Sequence, residues 1–349
     1  MNANKNLVNN GQEQYLKNRY EVVALIEAVM CNPNGNPNMA NRPRFDMMTN
    51  NGIITDVALK SRIRKYIQLA YGDQLDYDIL IKDCANMNKN IYEGFANTGH
   101  EKAKDIADKT EAMNDANDYI KRRYWDARAF GAVLSTGRNA GQIRGAVQIA
   151  MAKSVDPIEV VTSTITRKCF TANCGDSWSL EDYEKAEENM DPDTKRTMGT
   201  KSYINYGLYV VKISVSANVA KKNHFTEEDF KRLLEGVMQM YNVDASSSKM
   251  GMSVLSPVVV FKHVGLKTGT DWQNENEALL GCTSANRLFN LVKVQKRDGV
   301  EYPRSYEDYD ITLDLSRLPR GVECGVKRDF YEDIDWLNDI HEKIDLFDA

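Results

Sequence analysis

A loop rich in asparagine, proline and glycine leads into a basic helix, and together they carry the first residues suited to chemistry. The loop, residues 31–45 (the opening loop), supplies side-chain amide and guanidinium groups, from Asn32, Asn34, Asn36, Arg42 and Arg44. On the helix, Lys60 and Arg64 fall about 40° apart at about 100° per residue, on one side. Cations fixed beside an open loop can hold phosphate oxygens, and arginine can do so through two parallel hydrogen bonds. The pattern predicts a phosphate-binding site, with solvated helix charges as the alternative.

A second candidate is the glycine-bearing basic stretch STGRNAGQIRG, residues 135–145. Its glycines allow close backbone approach, and its polar side chains supply hydrogen-bond donors, from Arg138, Gln142 and Arg144. The stretch matches neither the Walker pattern nor G-x-G-x-x-G, so it indicates no nucleotide site. It is either a cradle for a polyanion or an ordinary turn.

The third candidate is a basic arm with an apolar tip. Arg167 and Lys168 precede an acidic block, and Met198 and Lys201 follow it. An apolar side chain on such an arm can wedge between bases and separate them in a single strand. Ordinary packing of Met198 is the alternative explanation.

Metal binding and nucleophilic catalysis have weaker support. Cys169 and Cys174 stand at C-x4-C spacing, but no second pair and no nearby histidine completes a zinc site. No G-x-S-x-G nucleophile elbow occurs. Asp46, at the end of the opening loop, either orders that loop or binds a cation. We therefore expect no metal, no cofactor and no catalytic residue.

The composition is that of a folded protein without membrane spans. The chain has 349 residues, of which 42% are hydrophobic and 27% charged, which argues against wholesale disorder and suggests about two domains or one elaborated domain. No apolar run reaches membrane-spanning length, and residues 1–19 lack the apolar core of a signal peptide. We expect a cytoplasmic protein with a short flexible lead-in over residues 1–19.

The net charge of −5 conceals local blocks of opposite sign. Residues 42–65 sum to +4 and residues 119–168 to +6, whereas residues 171–194 sum to −7 and residues 301–349 to −8. Two basic blocks offset by acidic segments are compatible with a polyanionic partner.

The predicted elements alternate as strand, helix, strand or hairpin, strand, helix and strand. They cover residues 20–30, 55–70, 129–152, 206–219, 226–241 and 253–264. This order predicts an α+β fold with a ferredoxin-like or RRM-like arrangement and two insertions, residues 73–118 and 160–205. The apolar spacing in residues 329–347 predicts an acidic amphipathic helix docked on its own or a neighbouring subunit.

Three blocks, in order along the chain, carry a family resemblance. Residues 31–67 resemble N-P-N-G-D-P…P-R-x-D…G-x-x-T-D-V-x-L-K-R-x-[IV]-R, and residues 125–168 resemble D-x-R-x-F-G-A-V…G-Q-x-R-G-x-V-Q…S-x-D-P-I…S-x-T-R. MGTKSYINYGLY, residues 198–209, is similar to M-G-x-K…Y-G-L-Y. These are signatures of the CRISPR-associated Cascade backbone subunits, the seventh Cas family, and the match is closest to the type I-C branch.

The resemblance implies a hand-shaped subunit with an RRM-like palm, helical fingers and a thumb hairpin. The palm would comprise residues 20–72, 119–159 and 206–300, the fingers residues 73–118, and the thumb residues 160–205. Residues 301–349 would be an acidic C-terminal extension without a counterpart in the family, for which we expect a clamp on a neighbouring basic surface.

The resemblance also implies the function: a non-catalytic subunit that binds CRISPR RNA and oligomerises along the guide spacer. Its other partners would be the repeat-handle-binding and large Cascade subunits and target DNA. In relatives the L-K-x-x-x-R pair contacts RNA phosphates, which corresponds to Lys60 and Arg64. This sequence has Asn36 where the family usually has aspartate and Ser61 where it has arginine. The rival reading is a metal-dependent endoribonuclease of the type III kind, with Asp46 as its catalytic residue.

Overall fold

The computed structural model describes residues 15–100, 109–171, 177–191, 195 and 197–347. The strands are β1 (Tyr20–Cys31), β2 (Gly35–Asn36), β3 (Arg42–Pro43), β4 (Asn51–Ile54), β5 (Gly131–Val133), β6 (Gln142–Arg144), β7 (Val147–Ile149), β8 (Ala152–Pro157), β9 (Val160–Arg167), β10 (Thr197–Val215), β11 (Met252–His263), β12 (Val292–Lys296), β13 (Tyr309–Asp314), β14 (Val322–Lys327), β15 (Asp335–Trp336) and β16 (Lys343–Asp345). The helices are α1 (Asp56–Tyr71), α2 (Met87–Asn97), α3 (Lys109–Arg123), α4 (Trp125–Phe130), α5 (Leu180–Asn189), α6 (Ala217–Asn223), α7 (Glu227–Gln239), α8 (Asp271–Leu280) and α9 (Ala285–Phe289). The predicted α+β class is confirmed.

Strand β1 lies at the centre of the main sheet, antiparallel to both β10 and β11. Successive side chains of a strand point to opposite faces. Val22 and Ile26 therefore enter one hydrophobic core, and Val23 and Leu25 enter a second core on the other face. The predicted strand over residues 20–30 is confirmed, and it is covered on both sides.

The main sheet has the order β15-β14-β11-β1-β10-β8-β4, with β7 and β9 pairing at other points along β10. Helices α1 and α7 pack on the first face, where Leu59 and Ile63 share a core with Leu233. Both predicted helix starts are confirmed: Thr55 Oγ1 accepts from Ala58 N, and α7 begins with a capping box.

The second face of the sheet is covered by the C-terminal part of the chain. Strands β12, β13 and β16 form a small sheet whose apolar side chains, among them Leu313 and Leu346, pack on the inner residues of β1. The predicted amphipathic helix over residues 329–347 is wrong, because β15 pairs with β14 and β16 with β13. Apolar spacing could not reveal this pairing, since it depends on strands distant in sequence.

Three related predictions also need correction. Strand β11 is not the last core strand, because β14 extends the main sheet beyond it. A boundary at residue 300 would separate β12 from its partner β13. Leu337, Ile344 and Leu346 of the C-terminal extension pack in the chain's own second core, so these side chains are not available to clamp a neighbour.

The segment after α1 forms a helical insertion with its own core. Helices α2 and α3 contribute Ile91, Phe95 and Ile120, which pack against Leu134 and Ile143. Residues 128–130, predicted as part of a strand, belong instead to α4, every residue of which is buried. A short helix that is buried all round has no amphipathic period, and Gly131 ends it at a φ of 83°.

Strand β9 and the first half of β10 form an antiparallel ribbon that extends from the main sheet. Its register runs from Val160 opposite Ile204 to Arg167 opposite Thr197. The second half of β10 pairs with β1, so one long strand joins ribbon and sheet. Helix α5, in the connection between the two ribbon strands, has no buried residue.

Of the predicted flexible lead-in, residues 1–14 lie outside the described residues. Residues 15–19 do not fit that prediction, because Leu16 is buried and its N–H donates to Phe225 O at 3.1 Å. Among the described residues, every helix is too short or too polar to cross a bilayer.

The small sheet of β12, β13 and β16 and the residues that adjoin it, which we call the C-terminal layer, should contribute to stability. Leu346 is 1% exposed in the second core, so Leu346→Ala should lower the free energy of unfolding by about 3 kcal/mol through lost burial and a cavity. The matched control is Leu69→Ala, at a position that is 63% exposed on α1, which should cost less than about 0.5 kcal/mol. Urea denaturation measures both variants, and equal midpoints would contradict this role for the C-terminal layer.

Candidate nucleic-acid interface

Hydrogen bonds tie the opening loop to the start of α1. Asn34 Oδ1 accepts from Thr55 N at 3.0 Å and from Thr55 Oγ1 at 3.1 Å, and Asn34 O accepts from Arg44 N at 2.9 Å. Asn34, predicted as a binding residue, therefore holds the loop in place and lines the cleft beside it.

That cleft, which we call the loop cleft, has a volume of about 320 Å³. The opening loop, α1 and the segment after α7 form its walls. Its lining is polar and cationic, and comprises Asn32, Pro33, Asn34, Gly35, Asn41, Ala58, Ser61, Arg62, Tyr241, Ser248 and Lys249. The wall after α7 is held close because Val29 N donates to Gly251 O, and a Cβ at Gly251 would lie 1.7 Å from Val29 O.

Lys249 was not among the predicted site residues. Its Nζ donates to the backbone oxygens of Asn32 and Pro33. Burial, together with the charge of Arg62, lowers the pKa of Lys249 to about 8, while Cys31 acts in the opposite direction. The feature of the sequence that could have indicated Lys249 is the segment SSSKMG after α7, in which this lysine is followed closely by a glycine.

The predicted pair on α1 does lie on one side of the helix. Lys60 Nζ is 6.0 Å and the Arg64 guanidinium carbon 5.2 Å from the centre of the Phe130 ring. Each cation nevertheless already has a carboxylate partner, because Lys60 pairs with Asp56 at 2.9 Å and Arg64 with Asp126 at 2.8 Å. Their charges are largely neutralised within the chain.

Asp126 makes Arg64 a structural residue. The Asp126 carboxylate is buried and also accepts from Leu80 N at 2.7 Å and Ile81 N at 3.2 Å. Arg64 therefore links α1 to α4 and to the start of the helical insertion. Arg62 and Lys65 lie apart from this pair, and both contact Asp244.

The cations of the opening loop differ from those of α1. In the described part of the chain, neither Arg42 nor Arg44 has an ion-pair partner, and Arg42 is exposed. Arg44 Nε is buried without a hydrogen-bond acceptor. Such groups gain most from an added anion, because no carboxylate competes for them.

The glycine-bearing stretch belongs to the helical insertion. Arg138 lies over the rings of Tyr92 and Phe95, at 4.9 Å and 5.8 Å from their centres. Gln142 and Arg144 are exposed on β6. Arg138, Gln142 and Arg144 therefore lie on different elements from those that form the loop cleft.

The ribbon carries the remaining predicted residues. At its outer end Arg167 donates to Thr171 Oγ1 at 3.4 Å and to Thr197 Oγ1 at 3.3 Å, Lys168 is exposed, and Met198 is 76% exposed. Lys201, nearer the sheet, donates to Ser247 O at 3.3 Å. Lys201 is thus brought beside the loop cleft, whereas Met198 is not packed in a core.

Asp46 orders its own turn. Its carboxylate accepts from Met48 N at 3.0 Å and Thr49 Oγ1 at 3.1 Å, and Lys153 Nζ lies at 3.4 Å. The backbone hydrogen bond from Met48 N is the main cause that lowers the pKa of Asp46. The described residues contain no cluster of three potential metal ligands; Cys169 is exposed, and Cys174 lies outside them.

Comparison with known proteins gives one family. Residues 18–314 match the family profile described as "CRISPR-associated protein Cas7". A curated relative from Haloferax volcanii, also described as "CRISPR-associated protein Cas7", is 36% identical over 124 residues. That alignment covers 34% of this chain and 33% of the relative, so it spans about a third of the relative's length.

Comparison with solved structures gives similarities to chains from two kinds of complex. A chain of a "CRISPR RNA-guided surveillance complex, pre-nicking" gives a TM-score of 0.43 at 11% identity, over 70% of this chain and 78% of that chain. A chain from the "Cryo-EM structure of the Type III-B Cmr-beta bound to cognate target RNA" gives a TM-score of 0.37 at 12% identity, over 70% and 61% of the two chains.

The two cations on α1 should respond differently to truncation. Arg64→Ala leaves the buried Asp126 carboxylate without a cation, so it should lower the free energy of unfolding by about 3 kcal/mol. Lys60→Ala removes only a pair within one helix and should cost about 0.5 kcal/mol. Urea midpoints of the two variants test this difference, and a Lys60 effect as large as that of Arg64 would count against it.

Proposed function

The chain belongs to the Cas7 family of CRISPR-associated proteins, and on that premise we propose that it is a non-catalytic, RNA-binding backbone subunit of a type I Cascade complex of the I-C kind. Its ligand would be CRISPR RNA, gripped through the sugar-phosphate backbone. Copies of the chain would stack along the guide, together with repeat-handle-binding and large subunits, and the complex would pair the guide with target DNA.

The strand order supports an RRM-like palm as part of this proposal. The four strands β11-β1-β10-β8 are antiparallel in that order, and α1 and α7 pack on one face. This is the ferredoxin-like order 4-1-3-2, with β1 first in sequence, β8 second, β10 third and β11 fourth. On this reading, the helical insertion forms the fingers and the ribbon the thumb.

One observation carries the proposal: three cations at the opening loop, Arg42, Arg44 and Lys249, lack carboxylate partners among the described residues. In the described part of the chain, Arg42 and Arg44 have no acidic partner, and Lys249 Nζ donates only to backbone oxygens. Phosphates would meet these charges without first breaking an internal ion pair. Backbone contacts of this kind bind strongly and carry no sequence information.

The ribbon and the turn at Asp46 complete the proposal. Met198, exposed near the outer end of the ribbon, is suited to separating stacked bases, with Arg167 and Lys168 beside it for phosphates. The Asp46 carboxylate is engaged by its own turn, which favours a structural role over the catalytic role of a type III ribonuclease.

The function is tested by the salt dependence of RNA binding. The wild-type chain should bind single-stranded RNA with similar affinity for unrelated sequences. Arg42→Ala with Arg44→Ala should weaken binding for every sequence and flatten the log–log salt slope by about 1.4, at about 0.7 per lost phosphate contact. Fluorescence anisotropy over a series of salt concentrations measures both effects.

The control is Arg317→Ala, at an exposed position in the C-terminal layer, which should leave affinity and slope unchanged. Absence of RNA binding by the wild-type chain at low salt would refute the proposed function. Periodic cleavage of complementary RNA in Mg²⁺, lost in Asp46→Ala, would favour the ribonuclease instead.

Lys249 predicts a pH dependence. Raising the pH from about 7 to about 9 passes its pKa of about 8, so the loop cleft loses one cation, RNA binding weakens and the salt slope flattens by about 0.7. Burial raises the pKa of Cys31 to about 11, above this range. Lys249→Met should bind more weakly at pH 7 and should not show this step.

Titration of Lys249 does not destabilise the fold, so unfolding through this group cannot explain the weaker RNA binding expected at higher pH. The pKa of Lys249 is lower in the folded chain than its usual value of 10.5, so between these two values the unfolded chain binds more protons. The contribution of this group to stability therefore rises with pH over that interval. A wild-type profile identical to that of Lys249→Met would exclude Lys249 from the binding site.

A further inference from the structure

The side chain of Asn32, at the start of the opening loop, has an unused acceptor. Asn32 is 4% exposed, and its Nδ2 donates to Asn41 O at 2.7 Å. That bond fixes the orientation of the amide, because the opposite orientation would set two oxygens against each other. Asn32 Oδ1 is left buried, with no donor from the protein. An acceptor in this state costs free energy that a ligand with a suitable donor would recover.

The surroundings of Asn32 define which ligand could supply the donor. Asn32 lines the loop cleft together with Lys249, whose ammonium group has no carboxylate partner among the described residues, so the ligand should be an anion that also carries a hydrogen-bond donor. Lys249 Nζ now rests on Asn32 O and Pro33 O. A phosphate in the cleft would compete for this ammonium group, because a charged acceptor forms the stronger bond. As Lys249 turned toward it, space beside Asn32 would open.

A ribonucleotide unit has this combination of groups, since its phosphate is an anion and its ribose 2′-hydroxyl is a donor close to that phosphate. Deoxyribose lacks the hydroxyl, which is the group that lets proteins distinguish RNA from DNA. We propose that Asn32 Oδ1 accepts a hydrogen bond from a ribose 2′-hydroxyl of the bound strand, so that the loop cleft selects RNA over DNA. This inference rests on the proposed function and names a selectivity within it.

The ribose 2′-hydroxyl is a better candidate for the donor to Asn32 Oδ1 than an amino group of a base. A backbone-binding subunit meets a 2′-hydroxyl at every nucleotide, whereas the donors on the bases change with sequence. Selection by Asn32 should therefore be the same in oligo(A) and oligo(U).

The experiment compares RNA with 2′-fluoro RNA of the same sequence, using the full chain freed of nucleic acid. The 2′-fluoro strand keeps an RNA-like sugar conformation and loses only the donor. Wild-type protein should bind RNA about fivefold to tenfold more tightly than 2′-fluoro RNA, the effect of one hydrogen bond. Asn32→Ala should bind the two strands equally.

The matched control is Asn36→Ala, in the same loop. Asn36 Oδ1 accepts from Asn38 N within an exposed turn, and Asn36 does not line the loop cleft, so this variant should keep the wild-type preference. The wild-type comparison remains decisive even where Asn32→Ala fails to fold.

Three results would overturn the inference and leave the proposed function standing. These are equal wild-type binding of RNA and 2′-fluoro RNA, a preference present with only one of oligo(A) and oligo(U), and a folded Asn32→Ala that keeps the preference. Failure of the wild-type chain to bind any RNA would instead refute the proposed function itself.

Discussion

Two buried ion pairs on α4 organise the first face of the sheet. Arg128 forms a bidentate pair with Asp229, at 2.9 Å and 2.8 Å, and Asp126 pairs with Arg64. Asp229 also completes the capping box of α7. Burying these charges is costly unless each has its partner and its further hydrogen bonds. The six residues of α4 thus hold α1, α7 and the helical insertion in one arrangement, and the N-cap residue of α1, Thr55, is hydrogen-bonded to Asn34 of the opening loop.

The same constraint divides the basic residues of the chain into two groups. Arg64 and Arg128 are committed to the fold because their carboxylate partners are buried. Arg42 and Arg44 lie in a loop that no buried carboxylate reaches within the described residues. Net charge and the count of lysines and arginines cannot separate these groups. The distinction matters for polyanion binding because only cations without internal partners add their full charge to the surface.

The two faces of the main sheet are covered by different parts of the chain. Helices α1 and α7 cover one face, and α1, the opening loop and the segment after α7 enclose the loop cleft. The C-terminal layer covers the other face. Its buried apolar side chains pack against the sheet, and its acidic residues belong to the same layer. The one long strand β10 joins the covered sheet to the exposed ribbon, which brings Lys201 beside the wall of the cleft.

The sequence by itself was sufficient for elements whose signals are local. Strand β1 is an apolar run interrupted only by Glu21 and Glu27, and α1 and α7 each combine an apolar stripe with an N-terminal capping residue. The sequence also predicted the family, and it predicted that Lys60 and Arg64 lie on one side of α1. Only the tertiary structure decided which cations are neutralised, since Asp126 and Arg64 are 62 positions apart in sequence. It also turned the predicted C-terminal helix into strands that pair with β13 and β14, and brought Lys249 over the carbonyl groups of the opening loop. These outcomes depend on contacts between distant segments, and no local pattern of residues encodes them.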